Sequence, residues 1–194
     1  MIFLINKFDT KLRLYFSNFQ LKFQKMFHSK KIQTPLGEML AIKSEKGLCM
    51  LEFFDGKSTE KQLKEIENIG DILSKEEDEV LNILEEELNL YFEGALKEFT
   101  VPLDFIGTDF QKKVWNELLK IPFGETRSYK EQSIAVGDLL AIRAVANANG
   151  KNKIAILVPC HRVIGSDGSL TGYAGGKKRK QFLLELESKQ LTLF

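Results

Sequence analysis

The chain has 194 residues, 43% of them hydrophobic and 28% charged, with a net charge of +1. That is the composition of a globular protein with room for one good core, or for one small and one medium domain. Two cysteines and two histidines in unlike contexts argue for a reducing, cytoplasmic compartment and against a disulfide framework or a zinc site, and no apolar run is long enough to span a membrane.

The charge is unevenly placed. Residues 1–106 hold 14 Lys/Arg and 19 Asp/Glu, a net of −5, whereas residues 107–194 hold 14 and 8, a net of +6. A basic half suggests a polyanionic partner, and the acidic half reads as a scaffold with a solvated face.

Residues 1–27 form an extension rich in Phe and Lys. Phe8, Leu12, Phe16, Phe19, Phe23 and Met26 recur at helical spacing, with some strand-like alternation between them. The pattern is that of a packing segment, or of an upstream stretch if translation starts at Met26, rather than a signal peptide.

A small α+β domain is expected over residues 28–104. Residues 38–43 and 48–54 read as a hairpin turning at Ser44-Glu45-Lys46-Gly47, and residues 58–67 as a short helix. Ser74-Lys75-Glu76-Glu77 reads as a capping box for a helix with Val80, Leu81, Leu84, Leu88 and Tyr91 on one face, ended by Gly94.

Residues 105–194 are expected to be mostly helical. Thr108-Asp109-Phe110-Gln111 and Ser128-Tyr129-Lys130-Glu131 are capping boxes, and Asp138 caps a further helix that runs to Asn149-Gly150. Two short helices about a glycine turn, the second rich in small residues and carrying the single long side chain of Arg143, read as a helix-turn-helix.

Residues 156–158 read as a short buried strand that stops at Pro159, delivering Cys160 and His161 at its end. Cys49, set in an apolar run, reads as inert core. Cys160 differs because His161, Arg162, Lys151 and Lys153 crowd it, surroundings expected to favour the nucleophilic thiolate. Adjacent side chains on a strand diverge, so His161 would need a bend or a bridging water to serve the sulfur. The glycines of residues 172–176 would let backbone approach a flat ligand or the thiol. Lys177-Lys178-Arg179-Lys180, at a helix N-terminus, hints at phosphate contact, against the plainer reading of a solvated basic patch.

Taken together, Gly107-Thr108-Asp109-Phe110-Gln111, Val114-Trp115, Ile121-Pro122-Phe123-Gly124, Arg143-Ala144-Val145, Pro159-Cys160-His161-Arg162-Val163 and Gly172-Tyr173-Ala174-Gly175-Gly176 closely resemble the 6-O-alkylguanine-DNA alkyltransferases, also called methylated-DNA–protein-cysteine methyltransferases. The resemblance spans roughly residues 105–188 and is less specific in the first half. It implies a ribonuclease H-like N-terminal domain and a winged-helix-like C-terminal domain. The activity it implies is irreversible, stoichiometric transfer of a methyl group from oxygen 6 of guanine, extending to oxygen 4 of thymine, onto Cys160.

By resemblance, His161 takes the thiol proton through a water, Glu187 partners the imidazole, and Tyr129 donates a proton to the leaving guanine. Arg143 fills the space of the flipped base, with Ala144 and Tyr129 also at the DNA. Asn152 braces the active-site turn, while Cys160, Val163, Tyr173 and Ala174 form the base pocket. Lys153, where proline is frequent, is expected to leave that turn less rigid. The resemblance implies a monomer acting on double-stranded DNA containing alkylated guanine, with no membrane, cofactor or metal. A binding module without chemistry would replace Cys160, a cysteine hydrolase would need an oxyanion hole and would turn over, and a transcription regulator would normally dimerise.

Overall fold

The computed structural model describes residues 25–56 and 58–191, and the extension's amphipathic pattern over residues 1–24 lies outside them. The first half is a four-stranded mixed sheet with two helices. Strands β1 (Lys25–Thr34), β2 (Gly37–Lys43) and β3 (Leu48–Phe53) form an antiparallel meander, and β4 (Gly70–Ser74) adds parallel to β1, giving the order β3-β2-β1-β4. Helix α1 (Thr59–Glu67) links β3 to β4, and α2 (Glu79–Glu93) follows. The hairpin and both helices match the sequence pattern. Strand β1 begins inside the expected extension, and Phe27 is 1% exposed, so residues 25–27 belong to the sheet.

The capping box at Ser74 does not form. Ser74 pairs with Ser29 as the last residue of β4, and Asp78 caps α2 instead, accepting from the Val80 and Leu81 amides. A sheet register with five paired positions outweighs a local cap, and Asp78 gains further from His28 at 2.8 Å and Lys43 at 3.3 Å.

The second half is helical, so the whole is α+β. Helices α3 (Asp109–Leu118), α4 (Tyr129–Val136) and α5 (Ile142–Asn149) pack together, and α6 (Lys177–Leu191) closes the chain. Both expected capping boxes, at Thr108 and Ser128, are present with reciprocal bonds. Gly137 ends α4 at φ +97, a left-handed conformation that permits the tight turn into Asp138 and a single 3-10 turn, Leu139–Ala141, before α5. Reciprocal amide bonds between Gln132 and Asn149, at 3.0 and 2.6 Å, and a Trp115 Nε1–Ala148 O bond at 2.9 Å fix the helix pair against α3. Two-residue strands β5 (Arg127–Ser128) and β6 (Val163–Ile164) pair in parallel beside it.

One core runs through both halves, from Ile32 and Leu51 to Val114, Val158 and Leu183, and a smaller one lies between the sheet and α1. The edge of β3 is where the halves join. The Leu48 amide donates to Pro102 O at 2.7 Å, the Leu51 amide to Lys153 O at 2.8 Å, and the Ala155 amide returns to Leu51 O at 2.8 Å. An edge that would otherwise offer unpaired backbone is thus covered by the connector and by the segment leading to Cys160. Among the described residues, no helix is long and apolar enough to cross a membrane.

Candidate active site

Residues 156–158 are buried as expected but are not a strand. Only Ile154 pairs with the sheet, at Leu51; the chain then turns through Leu157 N–Ala155 O and Val158 N–Ile154 O bonds, with Ile156 at φ +71. A β-branched residue in that region carries roughly 1–3 kcal/mol of strain, which the surrounding packing must hold. Apolar content selected burial here, while the backbone conformation is set by Asn152. Its side-chain amide donates to Val158 O at 2.9 Å and to Cys160 Sγ at 3.3 Å, and its carbonyl accepts from the Ile154 amide at 3.0 Å. Lys153, expected to leave this turn less rigid, is itself anchored. It is 5% exposed, and its ammonium donates to Ile106 O at 3.0 Å and pairs with Glu65 at 2.9 Å.

Cys160 and His161 lie in a single 3-10 turn, Cys160–Arg162, and both are buried. This bend is what the sequence argument required, since it releases the two side chains from strand-like divergence. His161 Nε2 lies 2.8 Å from Glu187 Oε1 on α6. Arg162 Nε and Nη2 donate to the same carboxylate at 2.9 and 3.0 Å, the Tyr91 hydroxyl at 2.8 Å, and the Gly124 amide at 3.1 Å. Burial alone would raise the Glu187 pKa. The bonds from His161 and Arg162, with the positive charge of Arg162, outweigh it and hold the carboxyl at about 2.

Burial pushes His161 below its ordinary value, against the pull of Glu187, so the imidazole is neutral near pH 7. With Nε2–H donating to Glu187, Nδ1 is the unprotonated nitrogen. It is buried and has no partner among the described residues.

The thiol is not held as a thiolate. Burial pushes Cys160 up to about 11, opposed by the Asn152 bond, raised further by Glu52 and lowered by Lys180. The cations that crowd it in sequence are spent elsewhere: Arg162 on Glu187, Lys153 on Ile106 and Glu65, with Lys151 exposed. Cys49 is inert core, pushed up to about 12 by burial with its thiol directed at Ile42 O.

Over the thiol stand Tyr129 and the glycine-rich loop. The Tyr129 hydroxyl donates to Thr171 O at 3.1 Å. Gly172, at φ +68, lies so close that a Cβ there would collide with the Tyr129 hydroxyl oxygen, so a side chain is excluded. Burial and the nearby Cys160 raise Tyr129 above its ordinary pKa, which keeps it a proton-bearing phenol. The Tyr173 ring stands edge-on to His161 at 6.4 Å, its hydroxyl buried without a partner among the described residues. Ala174 is half-buried on the same loop, and Val163 is fully buried, its amide donating to Cys160 O.

Cys160, His161, Glu187, Asn152, Val163, Tyr129 and Tyr173 are therefore brought together. Arg143 and Ala144 are not; they are exposed on α5. Three participants escaped the sequence argument. Tyr91 was read only as the apolar face of α2, and Arg162 only as a neighbour of the thiol. Lys180 belongs to a run that read as solvated, yet it is fully buried, donating to Val163 O and to Thr171 O at 2.7 Å. Burial lowers its pKa to about 8, against the pull of Cys160. Its neighbour Arg179 reaches the sheet instead, bonding Leu36 O at 3.0 Å and Asp55 at 2.9 Å. Only the i, i+3 spacing to Leu183 marks Lys180 as inward-facing.

Comparison with known proteins agrees over nearly the whole described chain. Residues 27–105 match the ribonuclease-like domain of 6-O-methylguanine DNA methyltransferase, and residues 109–189 match its DNA binding domain. The methylated-DNA–protein-cysteine methyltransferase of Methanosarcina barkeri is 48% identical over 160 residues, covering 82% of this chain and 96% of that protein. The constitutive enzyme of Bacillus subtilis is 42% identical over 163 residues, covering 80% and 92%. The crystal structure of Mycobacterium tuberculosis O6-methylguanine methyltransferase superimposes with a TM-score of 0.75 at 43% identity, covering 87% and 99%. That of Mycobacterium tuberculosis OGT in complex with DNA gives 0.73 at 42%, covering 85% and 94%. On this sequence and structural agreement, the chain belongs to the methylated-DNA–protein-cysteine methyltransferase family.

Proposed function

We propose that this protein repairs double-stranded DNA by moving the methyl group of O6-methylguanine directly onto Cys160, with O4-methylthymine as a second substrate. The observation that carries the reading is the neutral His161, clamped through Nε2 by Glu187 and with Nδ1 unpartnered among the described residues, next in sequence to the buried thiol of Cys160. The thiol proton passes to Nδ1 through a water, and Glu187 with its anionic charge stabilises the imidazolium. The sulfur forms a bond to the methyl carbon as the carbon–oxygen bond breaks, its electron pair going to the base. Tyr129 gives its proton to the leaving guanine and recovers one from the imidazolium, so the proton lost by the thiol ends on guanine.

The raised thiol pKa fits single use. A protonated, buried sulfur spares itself from adventitious alkylation and is activated when a flipped base displaces the Tyr129–Thr171 contact. The product is a thioether, and Cys49, the one other cysteine, is committed to the core, so no thiol exchange restores the site. Asn152 braces the turn, and the backbone of Cys160, Val163 and Ala174 with the Tyr173 ring receives the base. Arg143 and Ala144, on the exposed face of α5, enter the duplex and occupy the space of the extruded nucleotide; extrusion costs a few kcal/mol, less for a weakly paired lesion. On this reading the protein acts as a monomer.

The test is label transfer. A duplex carrying O6-methylguanine labelled on the methyl group should leave one label per protein on the peptide containing Cys160. Repeated turnover, or label elsewhere, rejects the reading.

A further inference from the structure

The exposed face of α5 that carries Arg143 and Ala144 continues through Asn147, one helical turn on, to Gly150 and Lys151. There it meets the other half of the molecule across a cleft of about 280 Å³. Ser58, Lys61 and Gln62 of α1 form one wall, and Asn147, Gly150 and Lys151 the other. The first turn of α1, a nine-residue helix, opens on this cleft with its positive dipole end.

The cleft wall is unsatisfied. Gln62 is 5% exposed, yet among the described residues neither its amide nitrogen nor its amide oxygen has a partner. Ser58 stands at the N-cap position, but its hydroxyl caps nothing and is buried without a partner among the described residues. Buried polar groups without partners are rare in native proteins, and the two donors on this wall, Gln62 Nε2 and the Ser58 hydroxyl, point to a ligand that supplies acceptors. Neither Lys61 nor Lys151 forms an ion pair among the described residues. Lys153 also borders the cleft, neutralising the one carboxylate there, Glu65, at 2.9 Å. Acceptor-rich, anionic and reached by a continuous surface from Arg143, the ligand has the chemistry of a phosphodiester.

We infer that this cleft is a second phosphate site, in which Lys61, Gln62 and Ser58 of the N-terminal half and Lys151 of the C-terminal half grip the backbone of the duplex whose base Arg143 replaces. The inference rests on the DNA-repair reading. Arg143 and Lys151, just past the helix end, lie about 12 Å apart along the helix axis, and each strand offers a phosphate every 3.4 Å or so of axis, so the gripped phosphate is a few nucleotides from the lesion. The N-terminal half is thereby part of the DNA interface as well as a brace behind the active site.

The experiment measures binding of an unmodified duplex from about 50 to 200 mM salt. Lys61→Ala should weaken binding several-fold and lower the slope of log affinity against log salt by about one. Gln62→Leu should weaken binding with little change of slope. Lys64→Ala, on the same helix but outside the cleft, should keep the wild-type slope. Wild-type affinity and slope in both Lys61→Ala and Gln62→Leu overturn the inference, as does an equal drop in Lys64→Ala, which would mean bulk charge only. The Gln62 side-chain amide resonance should shift with duplex and not with inorganic phosphate alone; the reverse assigns the cleft to a free anion and overturns the DNA assignment. Label transfer by the wild-type protein in the same preparation separates failure of this site from failure of the repair reading.

Discussion

The Tyr91 hydroxyl on α2 donates to Glu187 on α6 at 2.8 Å across 96 residues of sequence. Through this bond the N-terminal half contributes directly to the carboxylate that orients His161. Glu187 also receives Arg162 and the Gly124 amide, so three separate segments converge on one buried anion. A carboxylate bonded by so many donors fixes the geometry around it, and the parts of the network depend on one another.

Acid should unfold the protein in two stages. The His161 pKa is lowered in the fold, so below about 6.5 the unfolded chain binds a proton that the native state refuses, and stability falls. Glu187 is held at about 2 from an ordinary 4.5, so its contribution, on the order of 3 kcal/mol, is complete above 4.5 and is lost as pH drops toward 2. Urea midpoints at pH 7.5, 5.5 and 3.5 should decline in that order. Glu187→Gln should be less stable at pH 7.5 and show a flatter profile below 4.5; an unchanged profile would remove Glu187 from the account.

Cys160 should be sluggish toward small electrophiles. With its pKa near 11, iodoacetamide at pH 7.5 should label it far more slowly than a free thiol of pKa about 8.5. Asn152→Ala removes the one side-chain donor that lowers this value, at 3.3 Å from the sulfur. The variant's alkylation profile should move to higher pH. A profile at or below that of a free thiol in the native protein would contradict the burial argument.

Tyr129→Phe should separate chemistry from stability. The hydroxyl makes one partly exposed bond to Thr171 O, worth about 1 kcal/mol at most, which is a drop of roughly 2–4 °C in Tm. As the proton donor it should contribute about a hundredfold or more to the rate of methyl transfer. Single-turnover kinetics with the labelled duplex, set beside thermal melts, would show a large kinetic and a small thermal effect. Equal small effects would leave Tyr129 with a structural role only.

Arg143→Ala should act on the duplex alone. The side chain is exposed on α5 and distant from the Glu187 network, so Tm should move little. Repair of O6-methylguanine in duplex DNA should slow by about tenfold or more, reflecting the few kcal/mol of base extrusion, while transfer from the free methylated base should be retained. Comparable losses with both substrates would place Arg143 in the chemical step instead.

Local chemistry was legible wherever the chain's neighbours in sequence are also its neighbours in space. Thr108 with Gln111 and Ser128 with Glu131 satisfy orphan helix amides within four residues, and Gly94 and Gly137 end helices by their own left-handed conformation. The same short-range logic misled at Ser74, where pairing with Ser29 across the sheet took the residue that a cap would have used. It misled again at residues 156–158, because an apolar run specifies burial without specifying the backbone that achieves it.

By itself, the sequence determined the α+β division, the helix pair whose second member carries Arg143, the contrast between Cys49 and Cys160, and the order of residues that carries the family resemblance. Those properties reside in spacing, capping and residue type. Tertiary structure alone decided the protonation of the site. Burial keeps the thiol neutral where its sequence neighbours suggested a thiolate, turns Lys180 inward from a run of surface cations, and assembles Tyr91, Arg162 and Gly124 around Glu187. Desolvation and the direction of a charge depend on what surrounds a group in space, and adjacency along the chain carries neither.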